Sequence, residues 1–115
     1  MKTFSEILSE ELLESVDQHA LEELRLYIDN DRDLYRQQFI PIVKNIKNKM
    51  KSGKFDAAKA PKLLLYLVDN GAKKYVKEFG GDVKTMFPKP LRVQLAKEMA
   101  EDLRTAIEIG EYDNI

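Results

Sequence analysis

The side chains best suited to chemistry here are one histidine, His19, and a scatter of carboxylates, and neither set has the partners that catalysis requires. A lone imidazole cannot complete an HExxH zinc helix. In an acidic helix, with no spare base or nucleophile arranged around it, it reads as a surface or helix-end residue. Glu98, Glu101 and Asp102 share their segment with Lys97 and Arg104, the pattern of a solvated helix face. Asp29, Asp31 and Asp33 lack the glycine and terminal glutamate of a calcium loop. Gly53-Lys54 has no GxxxxGK context and Gly80-Gly81 has no GxGxxG fingerprint, so no phosphate cradle is written in the chain. The absence of cysteine excludes disulfides, thiolate metal sites and thiol nucleophiles, and fits a reducing compartment. The expectation is a protein that is not an enzyme, with no catalytic residue, no metal and no cofactor.

The elements that would carry any site are helices. Apolar residues recur at helical spacing almost throughout the 115 residues, and no strand-like alternation competes with them. Thr3 with Glu6 forms a capping-box pattern, opening a first helix to about Ser15 with Phe4, Ile7, Leu8 and Leu12 on one side. Asp17 caps a second, whose stripe is Ala20, Leu21, Leu24, Tyr27 and Ile28 and which frays at Asp29-Asn30-Asp31. A third holds Leu34, Tyr35, Phe39, Ile42, Val43, Ile46 and Met50, with Pro41 inside it; proline removes a backbone donor, so a kink or restart is expected there, and Gly53 is the stop. Asp56 caps a turn ahead of Pro61, and the central helix follows from Leu63 to Phe79. Leu63, Leu65 and Tyr66 widen its apolar stripe, and Gly71 within it suggests close helix packing. Gly80-Gly81 ends it, Phe87 anchors a loop, and a last helix from about Leu91 stops near Gly110, after which the tail either docks through Tyr112 or stays loose. The predicted fold is all-α, a compact bundle of about four to five helices in a single domain over residues 1–115, one helix kinked near Pro41.

Charge is segregated along the chain. Residues 1–34 hold ten acidic and three basic residues, residues 35–90 thirteen basic and four acidic, and the remainder three basic and six acidic. This arrangement serves either as a basic binding face or as opposite-charge pairing within the fold or across a dimer. The densest basic feature is Lys44, Lys47, Lys51 and Lys54, with Lys49 between them. At helical spacing Lys44, Lys47 and Lys51 share a face, and combined with Lys59, Lys62, Lys73, Lys74 and Lys77 they make a candidate nucleic-acid surface to which Tyr66 or Tyr75 would add stacking if exposed. No base-reading motif accompanies it. The longest apolar run, residues 63–68, is far short of the roughly 20 residues of a membrane span, and no secretory signal pattern opens the chain, so a cytoplasmic protein is expected.

Two resemblances carry further expectations. GKFDAAKAPKLLLYLVDNGAKKYVKEFG, MFPKPLRVQLAKEMAEDL and the closing GEY, within residues 53–112, resemble a group of small proteins of tailed bacteriophages and bacteria that share a GK(F/Y)D turn, a YLVD-AAKKY-KEF helix and an MFP-R-A-E segment. The resemblance implies phage origin without implying an activity. Residues 1–10 are similar to the capsid-targeting leader of internal head proteins in T4-like phages, cut after glutamate in a Leu/Ile-x-Glu context that Leu8-Ser9-Glu10 and Leu12-Leu13-Glu14 satisfy. The leading expectation is a noncatalytic phage-type protein that binds another protein, a host protein or a second copy in a homodimer, through helix faces. Its candidate seam is Leu8, Leu12, Leu13 and Val16, a stripe that otherwise closes the monomer's own core. The alternatives are a nucleic-acid binder using the basic middle segment, and an internal head or virion accessory protein.

Overall fold

In a computed structural model, which describes residues 16–115, the chain is helical from Gln18 onward. Asp17 caps the first described helix, α1 (Gln18–Asn30), its Oδ1 accepting from the backbone N–H of His19 at 3.0 Å and of Ala20 at 3.2 Å. Asp31 ends α1 and starts the next helix, accepting from the Leu34 N–H at 2.9 Å. The chain then runs through α2 (Arg32–Leu34), a π-helical turn (Tyr35–Phe39) and α3 (Ile40–Lys51). The disturbance expected around Pro41 takes the form of that π turn. The Ile40 N–H reaches back five residues to the Tyr35 carbonyl, so Pro41 enters in the first turn of α3, where its missing donor costs little.

Gly53, at φ +73°, ends α3 as expected, with the Lys54 N–H closing onto the Lys49 carbonyl at 2.8 Å. Asp56 organises the short turn foreseen before Pro61. Its side chain accepts from the Ala58 N–H, and its carbonyl from the N–H groups of Lys59 and Ala60. α4 (Ala60–Phe79) is the central helix and buries Leu64, Leu67, Val68, Gly71, Ala72 and Tyr75. Gly71 lets α1 approach: a Cβ there would stand 2.5 Å from Ile28 Cγ1. The breadth of burial inferred from the sequence is corrected at Tyr66, which is 69% exposed, while Leu63 and Leu65 are half-buried.

Beyond Gly80 the loop contains a short helix, α5 (Val83–Met86), capped by Asp82, before α6 (Lys89–Glu108). Phe87 is the anchor, 1% exposed and edge-on to Tyr75. Arg92 locks this loop to α4, donating from Nε to the Phe87 carbonyl at 2.9 Å and pairing with Asp69. α4 and α6 are antiparallel, since Arg92 near the start of α6 meets the middle of α4, whereas Arg104 near its end covers Phe55 just before α4 begins. α1 lies across both, tied to α4 by Tyr75–Glu23 and Tyr27–Glu78 hydrogen bonds and to α6 by the Arg25–Asp102 ion pair. One core cluster joins Val16, α1, α3, α4 and α6. The described helices make an all-α bundle without strands, and none is long and apolar enough to cross a membrane.

Candidate functional site: an aromatic cleft

An open cleft of about 370 Å³ lies between α1, the π turn, α6 and the C-terminal segment. Its aromatic wall is carried by the π turn, on which Tyr35 and Phe39, four residues apart, form a stacked pair with centroids 5.5 Å apart. Tyr112 meets Phe39 edge-on at 6.0 Å. Local chemistry holds Tyr112 there. Gly110, at φ +88°, turns the chain back after α6, and Lys47 on α3 donates from Nζ to the carbonyls of Tyr112 at 2.8 Å, Asp113 at 3.3 Å and Ile115 at 3.0 Å. Ile28, Met99 and Leu103 form the floor.

Charge is confined to the rim. Asp29, Asp102 and Glu111 stand there with one cation, Arg25, which pairs with Asp102 and lies 4.0 Å from Asp29. Loss of hydration beside the apolar wall pushes the Asp29 carboxyl above its usual range; Arg25 opposes the shift and Asp102 adds to it. More than half of the Asp29 side chain still meets solvent, so the effect is screened and bears on charge at the rim rather than on stability. Burial also pushes the Tyr112 phenol up, reinforced by Tyr35, Glu111 and Asp29. Such a site offers shape, aromatic surface and negative charge.

The residues singled out in the sequence are distributed as follows. His19 is exposed at the first turn of α1. Leu8, Leu12 and Leu13 lie outside the described residues, whereas Val16 packs into the core cluster, its side chain turned to the protein's own interior. Lys44, Lys51 and Lys54 are exposed. Lys47 does not share their role, because its ammonium is committed to the C-terminal carbonyls. Tyr75 is buried and bonded to Glu23 at 2.6 Å, which removes it as a stacking surface and leaves Tyr66. Among the described residues no group of three or more His, Asp or Glu side chains is arranged to hold a metal ion. Asp31 and Asp33 instead meet Lys74 at 2.6 and 3.8 Å, a direct pairing of the acidic N-terminal third with the basic middle.

The cleft itself was not read from the sequence. Tyr35 and Phe39 fit a helical stripe and so passed for core, yet Tyr35 is 43% exposed. The available signal was an aromatic pair immediately ahead of a mid-helix proline, where the helical register is most easily altered. No family model, curated protein or solved structure matches the chain.

Proposed function

We propose that this chain is a noncatalytic binding protein whose partner is another protein, and that the aromatic cleft receives an apolar anchor from a segment flanked by lysine or arginine. The supporting observation is the combination of an exposed Tyr35 stacked on Phe39 with a rim of three carboxylates and one cation. Tyrosine and methionine are the surfaces on which binding energy concentrates, and a negative rim selects a positively charged partner segment. A π turn commonly marks a functional position, and here it forms one wall. The resemblance over residues 53–112 makes a bacterial host protein, or a second copy of the chain, the first sources to test for that segment.

Selection of displayed peptides on the immobilised protein tests this reading. The expected enrichment is an aromatic or leucine anchor with basic neighbours, bound about tenfold or more weakly by Tyr35→Ala and weakened by Glu111→Lys through the rim charge. Peptides without basic flanks, or peptides indifferent to both substitutions, would remove the cleft as the binding site.

A further inference from the structure

A second surface, independent of the cleft, lies on the outer side of α4. Its buried residues define one face of the helix, and Lys62, Tyr66, Lys73 and Lys77 lie opposite, within about 60° of one another at 100° per residue. From Lys62 to Lys77 this stripe runs about 22 Å. At its N-terminal end it continues into a groove of about 370 Å³ bordered by Lys49, Lys54, Lys59 and Lys62.

Nothing in the fold accounts for this composition. A solvated helix face ordinarily alternates charge, as α6 does with Arg104 and Glu108 at 3.2 Å. On α4, Lys73 and Lys77 are like charges at i, i+4, a mildly unfavourable spacing, and Lys62, Lys73 and Lys77 form no ion pair among the described residues. The two acids of α4 are engaged elsewhere: Asp69 by Arg92, and Glu78 by the Tyr27 hydroxyl at 2.7 Å. Asp56, the one acid beside the groove, accepts from the Ala58 backbone. Between Lys62 and Lys73 stands Tyr66, 69% exposed and, among the described residues, in no aromatic pair. A charged track with an exposed ring between its cations matches a polyanion whose repeating units also carry flat apolar faces.

We infer that the outer face of α4, with the adjoining lysine groove, binds single-stranded nucleic acid, the lysines following the phosphates and Tyr66 stacking on a base. The site narrows the basic stretch suggested by the sequence, since Lys47 is held by the C-terminal carbonyls and Lys74 by Asp31.

Fluorescence anisotropy of the full chain with an end-labelled oligothymidylate of about 20 nucleotides tests it. With about four to six phosphates neutralised, log affinity falls against log salt with a slope between about −3 and −4. Lys62→Glu/Lys73→Glu is expected to abolish binding, with Lys62→Gln/Lys73→Gln as the substitute if the reversal disturbs the helix by circular dichroism. Tyr66→Ala lowers affinity between about fivefold and a hundredfold, whereas Tyr66→Phe retains it. Lys97→Glu on α6 and Tyr35→Ala in the cleft leave it unchanged, which separates this site from the protein-binding reading. Absence of binding at low salt, indifference to the lysine substitutions, or equal affinity for a duplex with Tyr66→Ala silent would each overturn the inference. So would a salt-sensitive dimer abolished by the same reversal, seen by light scattering, because that result assigns the face to a second copy.

Discussion

Replacing Gly71 by alanine sets two opposing effects against each other at the closest approach in the bundle. Alanine is favoured over glycine in a helix interior by about 1 kcal/mol. The added Cβ, however, falls 2.5 Å from Ile28 Cγ1 and 2.8 Å from Cδ1, with Leu34 Cδ1 at 3.7 Å behind them. Ile28 is a buried β-branched residue on a helix, with essentially one χ1 rotamer available, so the clash is relieved only by moving α1 away from α4. Overpacking of this kind costs about 1–3 kcal/mol, and after the helix-propensity gain the net loss is up to about 2 kcal/mol. For a chain of this length that lowers Tm by up to roughly 8 °C. Urea unfolding followed by circular dichroism measures it, and the decisive arm is the background. In Ile28→Ala, itself destabilised by about 2–5 kcal/mol, the space is open and Gly71→Ala should become stabilising by up to about 1 kcal/mol. A stabilising Gly71→Ala in the wild-type background would show that α1 and α4 are not in tight contact at this point. Ile28 also forms part of the cleft floor, so a displaced α1 is expected to weaken peptide binding along with stability.

Three other perturbations examine the elements that position the two surfaces. Asp31 is desolvated, which by itself would raise its pKa, but hydrogen bonds from Lys74 and the Leu34 N–H, with the Lys74 charge, hold the carboxyl below the usual range. Because the folded pKa is the lower one, this contribution is complete above the unfolded value near 4 and disappears as pH falls through the folded value. Asp31→Ala should cost about 1–2 kcal/mol near neutral pH and flatten the acid limb of a stability–pH profile. An unchanged limb would mean that the pair with Lys74 is absent in solution. Lys47→Met removes the donor to three carbonyls, so amide hydrogen exchange over residues 109–115 should quicken while the core amides stay protected; unchanged exchange would show that the tail is held by packing alone. Phe87→Ala, at a fully buried ring touching Tyr75, should cost about 3–5 kcal/mol by chemical denaturation, and a loss below 1 kcal/mol would place the ring outside the core.

Much of the architecture was legible because local chemistry and burial agree along most of the chain. Asp17, Gly53, Asp56, Gly80 and Gly110 each end or begin an element where their side chain or φ angle is needed, and Phe87 anchors the loop its surroundings suggested. The misreadings share one cause. Periodicity shows which residues could share a face but not whether another element covers that face. Tyr66 continues an apolar stripe yet lies on the uncovered side of α4. Lys47 continues a basic one yet is taken by a tail more than sixty residues later.

The cleft shows the same limit in a more specific way. In an unbroken α-helix, Leu34 and Val43 would stand about 180° apart at 100° per residue, and burying both would be impossible on one narrow face. Both are nevertheless buried, because the π turn between them takes an extra residue and closes part of that half-turn. Tyr35, next to Leu34, is left 43% exposed and stacked on Phe39 at the edge of the bundle, where Tyr112 and the acidic rim meet it. Pro41 thus shapes the surface without being part of it. A donor missing from the backbone favours the wider turn, the wider turn reconciles the core on either side, and the aromatic side chains it carries form one wall of the cleft.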